Sequence, residues 1–586
     1  MVFRLGCFAR GIMGLVRSLV LPLAVCAGLG ELSAMAQTVP LTPPDVPMSS
    51  PTGVSMTDAT FTYATTDLVI GPLKLERSYY GGPENSKHYF GYNWTHNYDM
   101  WAFSMIKGIQ GTNPQPMTRI VIGRKTYMFD TQASATPFMD GLPHGGSDGT
   151  RVELENGLIL FTDRDGTKYR FNSATDGQVT SVTYPNGVVL TFTYNGSSRL
   201  KMVSSNQGYA LVFDLDGAGN VTAACGFNRA KTYVTASTTC ATSSPLVKTS
   251  YGYTSGALTS ATSVNGDVAS YTYSLVSQLR CLTDPGVSAC KYTIDYVSGQ
   301  TSQVLKQTLP DGSIWQFSCT CLYAHGQAET PQQMDGTGWT DPSGASVAFT
   351  LIDGTITDYT DQVGKTRQLY FYSGQLSGVT QPEGNRWYAN INGRGIFSGD
   401  VFTGTKTGVS GYPNIVQNAK TFPAGDCVNR ITCNLPLTVT DGNGNITNYT
   451  YDQTHGGALS ETRPAHQVDP NTSVQAVIRH TYTIRNAYVS NGAGGYNAEP
   501  GIWLPSEDRT CKTGATDIAS NSCVNGSSDE VVTTYEYGPN SGPNNLLLRG
   551  KAVTADGITL RTCYAYDSQG NKISETNARA GLASCP

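Results

Sequence analysis

From residue 150 onward, turn dipeptides arrive on a beat: Asp165-Gly166, Asp176-Gly177, Asn186-Gly187, Asn195-Gly196, Gln207-Gly208 and Asp216-Gly217 lie 11, 10, 9, 12 and 9 residues apart. That interval suits successive short antiparallel strands joined by tight turns, and it is too short for a helix between each pair of turns. The intervening residues alternate. Leu190, Phe192 and Tyr194 share one face while Val189, Thr191 and Thr193 share the other, and Leu211, Phe213 and Leu215 repeat the pattern. Tyr-x-Tyr marks recur at 251/253, 271/273, 449/451, 535/537 and 564/566, the first two 20 residues apart. A period of two strands and two turns signals a repeat in which each hairpin buries its apolar face by stacking on its neighbours. The beat loosens between about 395 and 435 and between 455 and 530, which read as longer excursions from the sheet.

Composition points the same way. Charged residues make up 14% of the 586, against roughly 25% in average proteins, and there are 64 Gly and 33 Tyr. Aromatic and β-branched residues fit a pleated surface, while Gly, Asn and Asp supply turns. The expected fold is all-β, an antiparallel β-hairpin repeat strip. A net charge of -5 with scattered Lys and Arg offers no basic stripe for nucleic acid and no polybasic segment for anionic lipid.

The N-terminus reads as a targeting signal over 1–36. Arg4, Arg10 and Arg17 precede an apolar stretch from Leu19 to Leu29, and Ala34-Met35-Ala36 matches a signal-peptidase site that would leave Gln37 first. The apolar stretch is short of the roughly 20 residues that span a bilayer, so an uncleaved anchor is the lesser alternative. Cys26 follows Val25, a poor fit to a lipoprotein site. Residues 37–57, rich in Pro and Ser, read as an extended linker, with structure beginning near Phe61. Beyond Cys7 and Cys26, twelve cysteines fall in neighbouring couples at 225/240, 281/290, 319/321, 427/433, 511/523 and 563/585, the pattern of local disulfides in an oxidising compartment. Cys319 and Cys321 are separated by one residue and can instead pair elsewhere; with His325 they lack a fourth ligand at any usual metal spacing.

Several residues invite a chemical reading. His96 and Asp99 can be imagined as an acid-base pair, but beside Trp94, Tyr98 and Trp101 they are expected to be hydrogen-bonded partners within a packing cluster. Asp441, Asn443, Asn445 and Asp452 match positions 1, 3, 5 and 12 of a calcium loop, yet Ile446 stands where the loop needs Gly, which favours an ordinary turn. There is no Gly-x-Ser-x-Gly, phosphate-binding Gly-Lys loop or His-Glu-x-x-His. The expectation is therefore a non-enzyme, with no catalytic residue, no metal site and no cofactor. Exposed Tyr and Trp leave open a second reading, a carbohydrate- or surface-ligand-binding module of the cell envelope, because aromatic faces stack on sugars.

YAYDSQGNKISET (564–576), YPNGVVLTFTYNGSSRLKMVSS (184–205) and DGNGNITNYTYD (441–452) resemble the YD repeats of the Rhs family. DLVIGPLKLERSYYGG (67–82) followed by FGYNWTHNYDMW (90–101) resembles the family's N-terminal element. The resemblance implies an N-terminal element over 58–150 and a repeat region over 151–586. It also implies a sheet that spirals into a hollow shell, used in the family to enclose a C-terminal toxin or to display surface modules. Asp341-Pro342-Ser343-Gly344 is similar to part of the family's self-cleavage region but lies mid-array without the following Leu, so no catalytic residue carries over. The implied partners are the chain's own further C-terminal portion or a toxin cargo, and otherwise surface carbohydrate; nucleic acid is not expected, and membrane contact only through an uncleaved signal. The implied location is secreted or cell envelope. Because no cap follows Pro586, the expected state is an incomplete shell whose last hairpin offers an open edge.

Overall fold

The computed structural model describes residues 43–585 apart from 83–86, 108–114, 124, 131–137, 141–149, 174–175, 242, 276, 300–301, 321–333, 353–354, 373–374, 405–413, 426, 470–471, 518–519, 521, 542–545 and 568–569. The signal sequence, Cys321 and His325 lie outside the described residues. Within them the fold is all-β and antiparallel, with 3-10 turns at Ser527–Asp529 and Ala578–Ala580 and no α-helix.

One hairpin turn, repeated, explains the beat. In the segment from Asp341 to Ala345 the first residue's N–H donates to the carbonyl of the fifth (2.9 Å), and Gly344 N donates back to Asp341 O (3.0 Å). Gly344 has φ 88°, a left-handed conformation that suits glycine. The Asp341 carboxylate accepts from Ser343 N and Ala345 N, satisfying two loop donors that no strand could. The same backbone pattern recurs from Asp163, Asp216, Asp361, Asp441 and Asp567 among others. Asp176-Gly177 departs from expectation: Asp176 opens the strand Asp176–Thr183 rather than a turn.

The tyrosines have an equally local cause. Tyr194, Tyr253, Tyr296, Tyr451, Tyr482, Tyr537 and Tyr566 each stand where the register with the next strand slips by a residue. A bulge re-aims the side chain. Each hydroxyl then donates to a backbone carbonyl earlier in the chain, as from Tyr253 to Val221 (2.7 Å), Tyr296 to Leu279 (2.7 Å) and Tyr566 to Leu548 (2.7 Å). These latches tie the end of each hairpin to its predecessor.

The main ladder pairs strand with successive strand from Phe138–Asp140 to Ile415–Gln417. It closes on itself at a fork. Asp176, Gly177 and Gln178 pair with Phe103, Ala102 and Trp101, while the rest of the strand pairs within the ladder. A three-stranded sheet, Thr62–Ile70, Leu73–Tyr80 and Trp94–His96, forms a plug against its inner side. Plug aromatics meet the ladder strand by strand: Tyr98 with Phe192, His96 with Phe213, Phe90 with Tyr251, Trp94 with Tyr271 and Phe61 with Tyr292. The segment expected to be a linker belongs to this core from Val46 onward. Val54 and Met56 are fully buried, and Thr337 donates to Met56 O (2.7 Å), because their apolar side chains complete the plug. Outside the ladder, a loop pinned by the Cys225–Cys240 bridge covers Val212 and Phe227, so the strand Tyr209–Leu215 is buried on both faces at its start.

A second sheet of ten strands runs from Ala419–Thr421 to Lys572–Glu575. Its loops reach the ladder's turns: Asn434 donates to Arg164 O (2.9 Å), Trp503 N to Asn186 O (2.9 Å) and Ser490 N to Arg229 O (2.8 Å). Arg229 and Glu499 pair at 2.8 Å. The C-terminal segment is tied down more firmly than its sequence suggests. Cys585 is bridged to Cys563, Arg561 donates to Leu582 O, and Asn577 caps the final 3-10 turn, although the side chains of the strand Lys572–Glu575 are all exposed.

Candidate functional site

The plug strand Leu73–Tyr80 alternates buried and open, with Leu73, Leu75, Arg77 and Tyr79 on the buried side. Arg77 thus occupies a core position. Its guanidinium pairs with Asp67 through Nε (2.8 Å) and Nη2 (3.1 Å) and donates to the Tyr271 hydroxyl (3.0 Å). Tyr251 donates to Asp67 at 2.7 Å, and the Trp94 ring lies 4.3 Å beneath the guanidinium carbon. Burial alone would lower the Arg77 pKa, but Asp67 and the two tyrosines hold it well above its usual value. The cluster joins the N-terminal motif to the first two Tyr-x-Tyr pairs and leaves neither charge open to solvent. Its chemistry is that of a keystone.

His96 and Asp99 do not form a pair. His96 Nδ1 accepts from Tyr98 N (3.2 Å), and the ring packs against Tyr89, Phe90 and Phe213. Burial pushes its pKa down to about 4, which keeps it neutral at pH 7. Asp99 instead accepts from His88 Nδ1 (3.0 Å) and the Thr95 hydroxyl (2.9 Å). Burial would raise the Asp99 carboxyl, yet these donors and the two nearby histidines hold it below the usual range. Trp94 and Tyr98 are buried as expected, whereas Trp101 is half-exposed and stacks on Phe103 at 4.8 Å.

Trp101 and Asp99 line a cleft of about 520 Å³ between the plug and the strands Met100–Lys107 and Gln115–Ile122. Tyr80, His88, Asn93, Thr95, Arg119 and Thr126 complete much of its wall. The sequence signals for His88 and Arg119 were absent, because each becomes meaningful only when the plug folds against the ladder.

The other candidates resolve as structure. Asp441 accepts from Asn443 N and Asn445 N in a repeat turn, and Asp452 accepts from Thr454 N and His455 N in the next. Asp341 opens a repeat turn. Among the described residues the one cluster at metal-ligand distances is Cys511, Cys523 and Asp529, but the two cysteines are bridged to each other and Asp529 accepts from Thr513. The couples 225/240, 281/290, 427/433, 511/523 and 563/585 all form bridges.

Tyrosine latches, Asp-opened turns and a ladder closed around a plug define a hairpin-repeat scaffold. Residues 175–210 match the RHS Repeat family model, so the chain carries Rhs-type repeat sequence there. No curated protein matches it. Among solved structures it is similar to TcdB2-TccC3 without the hypervariable C-terminal region, at 11% identity and a TM-score of 0.31 over 85% of this chain and 26% of that one. It is likewise similar to the Tc holotoxin pore of Photorhabdus luminescens, at 11% identity and a TM-score of 0.31 over 82% of this chain and 24% of that one. The chain spans about a quarter of the length of these structures.

Proposed function

We propose that this chain is an exported Rhs/YD-repeat scaffold forming part of a β-shell associated with toxin delivery or cell-surface interaction, and that it acts without catalysis. The observation that carries the reading is the ladder closed around a buried plug, with its most suggestive polar groups, Asp67, Arg77 and His96, engaged in packing. Local disulfides support export, since such bridges persist in oxidising compartments. Residues 1–36 then serve as the cleaved signal, and the partner is a toxin cargo or a further C-terminal portion of the same gene product.

The test is expression behind its own leader together with the polypeptide encoded immediately downstream. Export is expected to yield an N-terminus at Gln37, with the downstream polypeptide co-purifying and shielded from protease. An intact Met1 would remove the export reading. A downstream polypeptide that neither co-purifies nor gains protection would remove the scaffold reading.

A further inference from the structure

The strand Ile502–Cys511 ends at Cys511, which pairs across the second sheet with Glu530, the residue after Asp529. Lys512 N donates to Asp529 O (2.8 Å), so strand register alone sets Cys511 beside Asp529. Cys523 arrives from the short hairpin of Thr516–Asp517 and Ser522–Cys523, in which it pairs with Thr516. The sulfurs of Cys511 and Cys523 and a carboxylate oxygen of Asp529 lie within 4.8 Å of one another, and all three residues are buried. Among the described residues no other group of three His, Cys, Asp or Glu converges in this way. The Asp529 carboxylate is held in place by Thr513 N (3.0 Å) and the Thr513 hydroxyl (2.5 Å). Thr516 Oγ1 lies 3.5 Å from Cys511 Sγ while accepting from Val477 N (3.3 Å), which leaves its own proton for the sulfur.

In the oxidised chain the two sulfurs form a bridge, a neutral group that gives the buried carboxylate no counter-charge. Once reduced, the same residues bring two thiolates and a carboxylate about one centre. That donor set suits Zn2+, whose ligands stand roughly 3–4 Å apart around a tetrahedron. It does not suit Mg2+ or Ca2+, which take oxygen ligands. Three negative charges in one buried place repel one another, and a divalent cation relieves the repulsion that reduction creates. Thr513 and Thr516 then act as the outer partners that orient the carboxylate and one sulfur.

We infer that reduction of the Cys511–Cys523 bridge creates a zinc site, with Cys511, Cys523 and Asp529 as its protein ligands and water in the fourth position. A thiol reductant of the glutathione class supplies two electrons and two protons: the S–S bond breaks, two thiols form, and the reductant leaves as its own disulfide. Zn2+ then displaces both thiol protons and forms two Zn–S bonds without changing its charge. In the reverse direction a small disulfide takes two electrons from the thiolates and becomes two thiolates itself, the Cys511–Cys523 bond re-forms, and the zinc departs. Metal and bridge are alternative staples for one loop, chosen by the redox state of the compartment. The inference does not rest on the scaffold reading, since it needs only this loop and the two strands beside it.

Residue-resolved thiol alkylation of the full chain tests it. The chain is reduced, freed of reductant without oxygen, and alkylated with or without buffered Zn2+, and each cysteine is followed by peptide mass spectrometry, with Mg2+ as the control cation. Zinc is expected to slow alkylation of Cys511 and Cys523 at least tenfold and magnesium to leave it unchanged. Cys281 and Cys290, a couple that belongs to no such group of three, are expected to be slowed far less. Asp529→Asn keeps both thiols and an oxygen that can accept from Thr513, and it is expected to lose at least tenfold of the protection, with the melting temperature of its oxidised form reporting that it folds. The wild-type measurement decides by itself if the variant does not fold. Unchanged alkylation of Cys511 and Cys523 in zinc would overturn the inference, as would equal slowing at Cys281 and Cys290 or full protection in a folded Asp529→Asn chain.

Discussion

Tyr271 and Tyr535 hold the same place in the same repeat, the first residue of a Tyr-x-Tyr pair, in the main ladder and the second sheet respectively. The Tyr271 hydroxyl meets a fully buried guanidinium, with Trp94 packed against its ring. The Tyr535 hydroxyl donates to Asp508 (2.6 Å), which also takes His480 Nδ1 (2.7 Å), on a surface where all three groups remain partly open. The difference runs through both regions. The ladder is closed around an aromatic plug, whereas strand residues of the second sheet are mostly half-buried and joined by ion pairs such as Arg479–Glu530, Arg509–Glu530 and Arg561–Glu536. Partly exposed pairs contribute little each, so the second region leans on its disulfides, Cys427–Cys433, Cys511–Cys523 and Cys563–Cys585, whereas the ladder adds a filled interior to bridges of its own at Cys225–Cys240 and Cys281–Cys290. One hairpin grammar thus tolerates two kinds of cohesion, covalent ties with or without a filled interior.

The comparison breaks most sharply at Arg77. Arg77→Ala leaves Asp67 buried without its counter-charge and is expected to destabilise the ladder by about 3–5 kcal/mol, seen as regional loss of hydrogen-exchange protection while the second sheet is spared. The converse is the double variant Cys511→Ser with Cys523→Ser, expected to cost about 2–4 kcal/mol and to loosen the second sheet while the ladder stays protected. Unchanged protection in either case would show that the two regions are not held as described.

Acid should separate them too. His96 has its folded pKa, about 4, below the ordinary histidine value near 6.5, so the neutral form is favoured by folding. Its contribution is fully present above about pH 6.5 and is lost as pH falls through 4, at most about 3 kcal/mol in all. The ladder's denaturation midpoint is expected to fall over that window, and His96→Phe to flatten the slope.

The latches give a smaller contrast. Tyr296→Phe and Tyr566→Phe each remove one hydroxyl donor, at a cost of about 1 kcal/mol. The loss at Tyr296 should be the larger, because that side chain is the more deeply buried. Equal losses would mean that burial does not set the strength of a latch. The smallest effect is a gain: Ser198 takes φ 56° at the position where other repeat turns place Gly, and Ser198→Gly is expected to raise stability by about 0.5 kcal/mol, the relieved strain less glycine's entropy cost.

Much of this was legible in the residues because its causes are local. The turn mostly opens on Asp or Asn, though Tyr184, Ser263, Leu309 and Gln381 open it too, and it takes Gly fourth except at Ser198; the Tyr sits at the strand end, and five cysteine couples close short loops, so each leaves a mark within a few positions. The burial of Trp94 and His96 was also readable. The keystone was not, since a charge within LKLERSYY reads as exposed until its parity with Leu73, Leu75 and Tyr79 is weighed. Met56 looked like linker because its partner Thr337 lies 281 residues away. Asp176-Gly177 looked like a turn because composition cannot distinguish a turn from the fork of a closing sheet.

The keystone also sets a clock. Arg77 and Tyr271 are 194 residues apart, and a ribosome adding about 5–20 residues per second needs roughly 10–40 s to span that gap. Throughout that interval the plug's tryptophan, tyrosines and paired charges exist without the wall that will enclose them. Ladder hairpins can form as they emerge, each from its own few residues, but the plug must wait. A nascent chain of this kind presents its stickiest segment before that segment's cover, which makes synthesis from Arg77 to Tyr271 the period in which a chaperone has most to hold.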